Sequence, residues 1–170
     1  MPRRILAAMV VAAALVPAAA SAAPKIVVFP IEVPDRIHEG EFLARPDAAD
    51  QPRIAIATDE LRRLFAATGR FEVVDLAPLA AELATAQPLH KCNGCDIELA
   101  RKAGADVMVM GLVEKASDVL LNMSIEIRDV ASGKPTRIGG TVIQGNTDDM
   151  WLRGVRWIAK NRLFNEDTNK

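Results

Sequence analysis

Val119 to Val130 alternates through its middle. Leu121, Met123, Ile125 and Ile127 take one parity, and Asn122, Ser124, Glu126 and Arg128 take the other. Successive side chains of a strand point to opposite faces, so the segment predicts a long strand with one face buried and one open. Its neighbours in sequence fix its company. Asp106 to Glu114 (DVMVMGLVE) is apolar on both parities, the pattern of a central strand covered on two sides. Ala131-Ser132-Gly133-Lys134 reads as a turn, and Thr136 to Gln144 as the returning strand. Gly139-Gly140 within it predicts a bulge or bend. Three strands joined by short turns make an antiparallel meander.

Upstream, helices and strands alternate. Lys25 to Val33 (KIVVFPIEV) opens as a short buried strand closed by Pro30 and Pro34, and Pro34 to Pro52 reads as a long polar loop. Ile54 to Thr68 takes a helical period, with Ile54, Ala57, Leu61, Leu64 and Phe65 on one face. Phe71 to Val74 predicts a short strand, Leu76 to Ala86 a second helix, and Cys95 to Ala103 a third, stopped by Gly104. After the meander, Thr147 can cap a helix with Asp148 and Asp149 in its first turn, where carboxylates suit the dipole. Trp151, Val155, Ile158 and Leu163 would cover the sheet. The order β-α-β-α-α-β-β-β-α predicts one α/β domain over 24–164, a mixed sheet of about five strands packed by helices, with a frayed tail at 165–170.

The first residues fix the compartment. Arg3-Arg4, the apolar run Ile5 to Val16, Pro17 and the small residues Ala18 to Ala23 form a secretory signal pattern, with cleavage near Ala22 or Ala23. The expectation is an exported, periplasmic protein without a membrane-spanning segment, since no second apolar stretch of about 20 residues follows. About 147 residues would remain, enough for one domain that needs no disulfide scaffold. Without Arg3 and Arg4 the balance is 19 Lys+Arg against 22 Asp+Glu, or −3. A mildly acidic domain without a basic cluster argues against nucleic acid and anionic membrane as partners. Five Phe, two Trp and no Tyr offer no stacking platform for bases or sugars.

Ala100 to Asp106 (ARKAGAD), Gly111-Leu112-Val113, and Ile125 to Val130 followed by Ser132-Gly133-Lys134 form a recurring pattern. It runs helix, Gly-Ala-Asp, strand ending Gly-x-Val, long strand, Asp-Val-x-x-Gly-Lys. The pattern resembles the amino-terminal domain of TolB-type translocation proteins and the curli-pore lipoproteins. With the cysteine motif ahead of it, the chain is also similar to a family of small exported bacterial proteins of no assigned function. The resemblance implies an α/β fold and a periplasmic, partner-binding life. It carries over no catalytic residue, and with no propeller, lipid-bearing Cys or pore hairpins expected in this chain, translocation and pore roles are not expected to transfer.

Lys91-Cys92-Asn93-Gly94-Cys95-Asp96 holds the only two cysteines. Outside the cytoplasm a local disulfide bracing the third helix is the plain reading. A CxxC entering a helix can also lower the first thiol's pKa, so a thiol–disulfide oxidoreductase with Cys92 attacking and Cys95 resolving stays open. Asp96 stands where haem attachment needs His. A zinc site lacks ligands, because His38 is remote in sequence from His90 and the cysteines. A metal-handling role is the third option, through Asp35, His38, Glu39 and Glu41 in the first loop. Arg153, Arg156 and Lys160, with Trp151 and Trp157, form a candidate partner surface. The two Trp are six positions apart and cannot share a helix face, so one packs and the other is exposed. No catalytic triad, phosphate-binding glycine loop or cofactor motif is present, and nothing argues for an enzyme. The favoured reading is a non-enzymatic accessory protein that binds an envelope partner; its oligomeric state is not set by the sequence.

Overall fold

The computed structural model describes residues 22–34 and 48–165. The signal pattern at 1–21, the proposed metal loop with Asp35, His38, Glu39 and Glu41, and residues 166–170 lie outside the described residues. The strands are β1 (Lys25–Val28), β2 (Glu72–Val73), β3 (Val107–Lys115), β4 (Leu120–Asp129) and β5 (Pro135–Gln144). The helices are α1 (Asp50–Ala67), α2 (Ala80–Ala86), α3 (Cys95–Lys102) and α4 (Asp148–Ile158), the last running into a π-helical turn at Ala159–Leu163. The expected element order holds.

All five strands form one sheet in the order β2-β1-β3-β4-β5. β1 runs parallel to β2 and β3, while β3, β4 and β5 form the antiparallel meander. The doubly apolar segment lies at the centre, as its pattern requires. On one face, Val109 and Val113 of β3, Leu121, Met123, Ile125 and Ile127 of β4, and Ile143 of β5 meet Ala57, Leu61 and Phe65 of α1 and Trp151, Val155 and Ile158 of α4. On the other face, Val27, Phe29 and Met108 meet Leu83 of α2 and Leu99 and Ala100 of α3. This second core stops at β3. The polar parity of β4 and the matching parity of β5 have no helix over them among the described residues, so half of one face is open.

Two expectations change. α1 begins at Asp50, so the end of the expected loop is helical; Pro52 fits there because the first turn's N–H groups have no intrahelical acceptor to lose. Gly139-Gly140 does not make the bulge. The register shift falls at Ile127/Arg128, where the chain steps from Arg137 to Pro135 opposite β4. Gly139 instead admits the turn after α4: a Cβ built on it would lie 2.6 Å from Arg162 Cβ and 2.8 Å from Ile158 Cγ2. Gly154 does the same from the helix, where a Cβ would meet Ile143 Cγ2 at 2.9 Å. Glycines on both elements let α4 sit directly on β5.

Candidate functional site

Cys92 and Cys95 are joined in a disulfide, with their Cα atoms 5.7 Å apart. Gly94 between them has φ +94°, a conformation that L side chains rarely adopt, and this lets the chain turn within two residues. α3 starts at Cys95, the second cysteine, and Cys92 closes a 3₁₀ turn by donating its N–H to Leu89 O at 3.1 Å. The helix N-terminus therefore acts on Cys95 and not on Cys92. Asp96, next in line, is buried and lies 3.3 Å from an Arg128 nitrogen.

The turn before Cys92 is held by a residue that sequence reading passed over. The Glu32 carboxylate accepts from Leu89 N–H at 2.7 Å, His90 N–H at 2.9 Å and His90 Nδ1 at 2.7 Å. Glu32 itself extends the β1 line, donating its N–H to Gly111 O at 2.9 Å. One carboxylate thus ties the disulfide loop to the central strand. His90 is engaged in this clamp through both its backbone N–H and its ring. Its Nε2 is buried with no hydrogen-bond partner among the described residues. His90 and Glu32 line a cleft of about 240 Å³ with Gln51, Ile54, Gln87 and Pro88.

A second buried network joins the far end of β3 to α1 and α4. Lys115 Nζ donates to Asp50 Oδ2 at 2.9 Å, and Asn146 Nδ2 reaches Asp50 Oδ1 at 3.3 Å. Trp151 Nε1 donates to Asn146 Oδ1 at 2.9 Å. Asp50 and Lys115 are both buried. Lys115 follows the segment read as a central strand, and only the three-dimensional meeting of β3, α1 and the β5–α4 turn reveals its partner. Among the described residues, no group of three or more His, Cys, Asp or Glu side chains is placed to hold a metal ion.

The candidate partner residues divide. Trp151 is fully buried and belongs to the core, while Trp157 is 44% exposed with the Arg162 guanidinium 5.4 Å above its ring. Arg153 pairs with Asp149 at 2.9 Å, and Arg156 with Glu60 at 2.7 Å, locking α4 to α1. Lys160 is exposed. Arg63 beside Glu60 is the main force holding that carboxyl at about 2; burial opposes it and Arg156 adds to it.

The largest apolar exposure lies on the open half of the sheet. Ile138 is 65% exposed and Val142 56%, both on β5, the strand at the sheet's edge. They stand opposite Glu126 and Asn122 of β4, and Gly140 between them stands opposite Ser124. Glu126 is neutralised by Arg128 at 2.6 Å. From Ile138 to Ile143 the edge carries no charge (IGGTVI). Edge strands are usually blunted by charges or interrupting prolines, and here Pro135 and Arg137 do so only at the start.

No described helix is long and apolar enough to cross a membrane. No curated protein matches the chain. Among solved structures, the LpoB C-terminal domain from Escherichia coli is similar at 17% identity, over 74% of this chain and 86% of that one, with a TM-score of 0.49. Lipoprotein GNA1162 from Neisseria meningitidis is similar at 17% identity, over 74% of this chain and 83% of that one, with a TM-score of 0.45. TolB from Acinetobacter baumannii is similar at 16% identity, over 78% of this chain and 25% of that one, with a TM-score of 0.39. A family model matches residues 24–163, and the chain belongs to that family, DUF3280, described as a protein of unknown function (DUF2380).

Proposed function

We propose that the chain is a non-enzymatic accessory protein of the cell envelope that binds a protein partner through the open half of its sheet. The observation that carries this reading is the uncharged stretch Ile138 to Ile143 of edge strand β5, with Ile138 and Val142 exposed. Apolar side chains displayed together on a strand edge cost solvation and invite pairing, and natural proteins keep such edges where a partner covers them. The signal pattern at the amino terminus supports the periplasm as the compartment. A half-exposed Cys92–Cys95 disulfide suits that compartment as a structural brace.

The test is crosslinking in intact cells of the native host, followed by purification and identification of what is bound. The reading expects the same envelope protein in repeated captures. Repeated captures with no common protein overturn it.

A further inference from the structure

The partner's own chemistry can be read from β5, on the footing that the accessory reading above holds. Gly145 N–H donates to Val119 O, its register partner beyond the end of the ladder. In an antiparallel ladder such bonded pairs recur every second residue. The odd-numbered residues of β5 therefore bond to β4. Ile138, Gly140, Val142 and Gln144 turn their N–H and C=O groups outward. These are also the positions on the open face, so backbone donors, backbone acceptors and the two exposed apolar side chains share one ledge.

The other face of the same edge is basic. Arg162 sits over Gly139. Arg137 lies on that parity of β5 and donates to Asn165 O at 2.6 Å. Neither arginine is ion-paired to a carboxylate among the described residues. A second copy of this chain is a poor occupant, because antiparallel pairing about Gly140 would set the two Gly139 Cα atoms about 8 Å apart. The two Arg162 guanidinium groups above them would repel across that gap.

We infer that β5 takes an extended segment of the partner as a sixth strand, one that alternates β-branched apolar residues with carboxylates. The apolar residues pack on Ile138 and Val142, and the carboxylates fall on the opposite face toward Arg137 and Arg162. The two-residue period of a strand delivers both sets at once.

The test uses the full mature chain, with Glu166 and Asp167 of the tail left in place, and a capped nine-residue peptide alternating Glu and Val as probe. A Lys/Val peptide of the same length is the control. Amide hydrogen exchange is read residue by residue. The proposal expects the Glu/Val peptide to slow exchange at Ile138, Gly140, Val142 and Gln144 by about tenfold or more, because only their N–H groups gain a new acceptor. The Lys/Val peptide should give no such protection. The paired substitution Arg137→Glu and Arg162→Glu should exchange the two peptides' roles, which a misfolded variant cannot do. Equal protection by both peptides, or protection confined to other strands, overturns the assignment. A reproducible envelope partner whose crosslinks map away from β5 also overturns it and leaves the accessory reading standing. Absence of any common partner removes that reading first.

Discussion

A methyl group at position 139 would lie 2.6 Å from Arg162 Cβ, closer than real Cβ atoms come. Gly139→Ala is therefore expected to destabilise the fold by about 1–3 kcal/mol, the range for overpacking a close contact. Gly140→Ala should cost under about 1 kcal/mol. Its nearest obstacle is Met123 O at 3.4 Å, and alanine restricts the unfolded chain. Urea unfolding of the two variants checks the contrast. Glu60 gives a second prediction at this scale. Its folded pKa of about 2 lies below the ordinary 4.5, so its contribution is complete above about 4.5 and lost as pH falls through about 2. The shift corresponds to about 3 kcal/mol at most, reduced to roughly 1–2 by solvent at the half-exposed Arg63 and Arg156. Glu60→Gln should lower stability by that amount at neutral pH and flatten the stability–pH curve between those values. The repeated Gly139-Gly140 pair was visible in the sequence, but its reason was not. A bulge and a close helix approach both demand glycine, and only the packing of Arg162 and Ile158 decides between them.

At the scale of elements, the strands were legible where side-chain parity alone sets the structure. Leu121, Met123, Ile125 and Ile127 all face the core shared with α1 and α4. Helix starts were less legible, because Asp50 and Pro52 read equally well as loop residues and the buried partner of Asp50, Lys115, is 65 positions away. That pair yields a test. Lys115→Met removes one charged partner of the buried Asp50 carboxylate, which keeps Arg53 at 3.4 Å, and should cost about 1–3 kcal/mol, while combining it with Asp50→Leu should recover much of the loss. The Cys92–Cys95 bridge closes a very small loop, so Cys92→Ser with Cys95→Ser should cost only about 2 kcal/mol, since most of the turn is already held by Glu32. Glu32→Gln should loosen the same turn, seen as faster exchange at the Leu89 and His90 amides. None of this clamp was legible, because it joins residues 57 and 58 positions apart.

The whole molecule is a sheet covered fully by α1 and α4 on one side and half covered by α2 and α3 on the other. The alternating β4 pattern announced an open face, but whether that face would meet a helix depended on where α2 and α3 dock. They dock over β1 and β3, beside the disulfide, and leave β4 and β5 bare. A structural role for the bridge predicts a reduction potential below about −300 mV, whereas a working exchange catalyst would sit near −120 to −230 mV. The central claim is that the molecule works through the edge and not through the disulfide. The measurement that tests it most directly is partner capture from host cells by three versions of the protein: wild type, Ile138→Lys with Val142→Lys, and Cys92→Ser with Cys95→Ser, each shown to be folded. The account predicts that the edge variant loses the partner and the disulfide variant keeps it. Capture that survives the edge substitutions but disappears with the cysteines would contradict it.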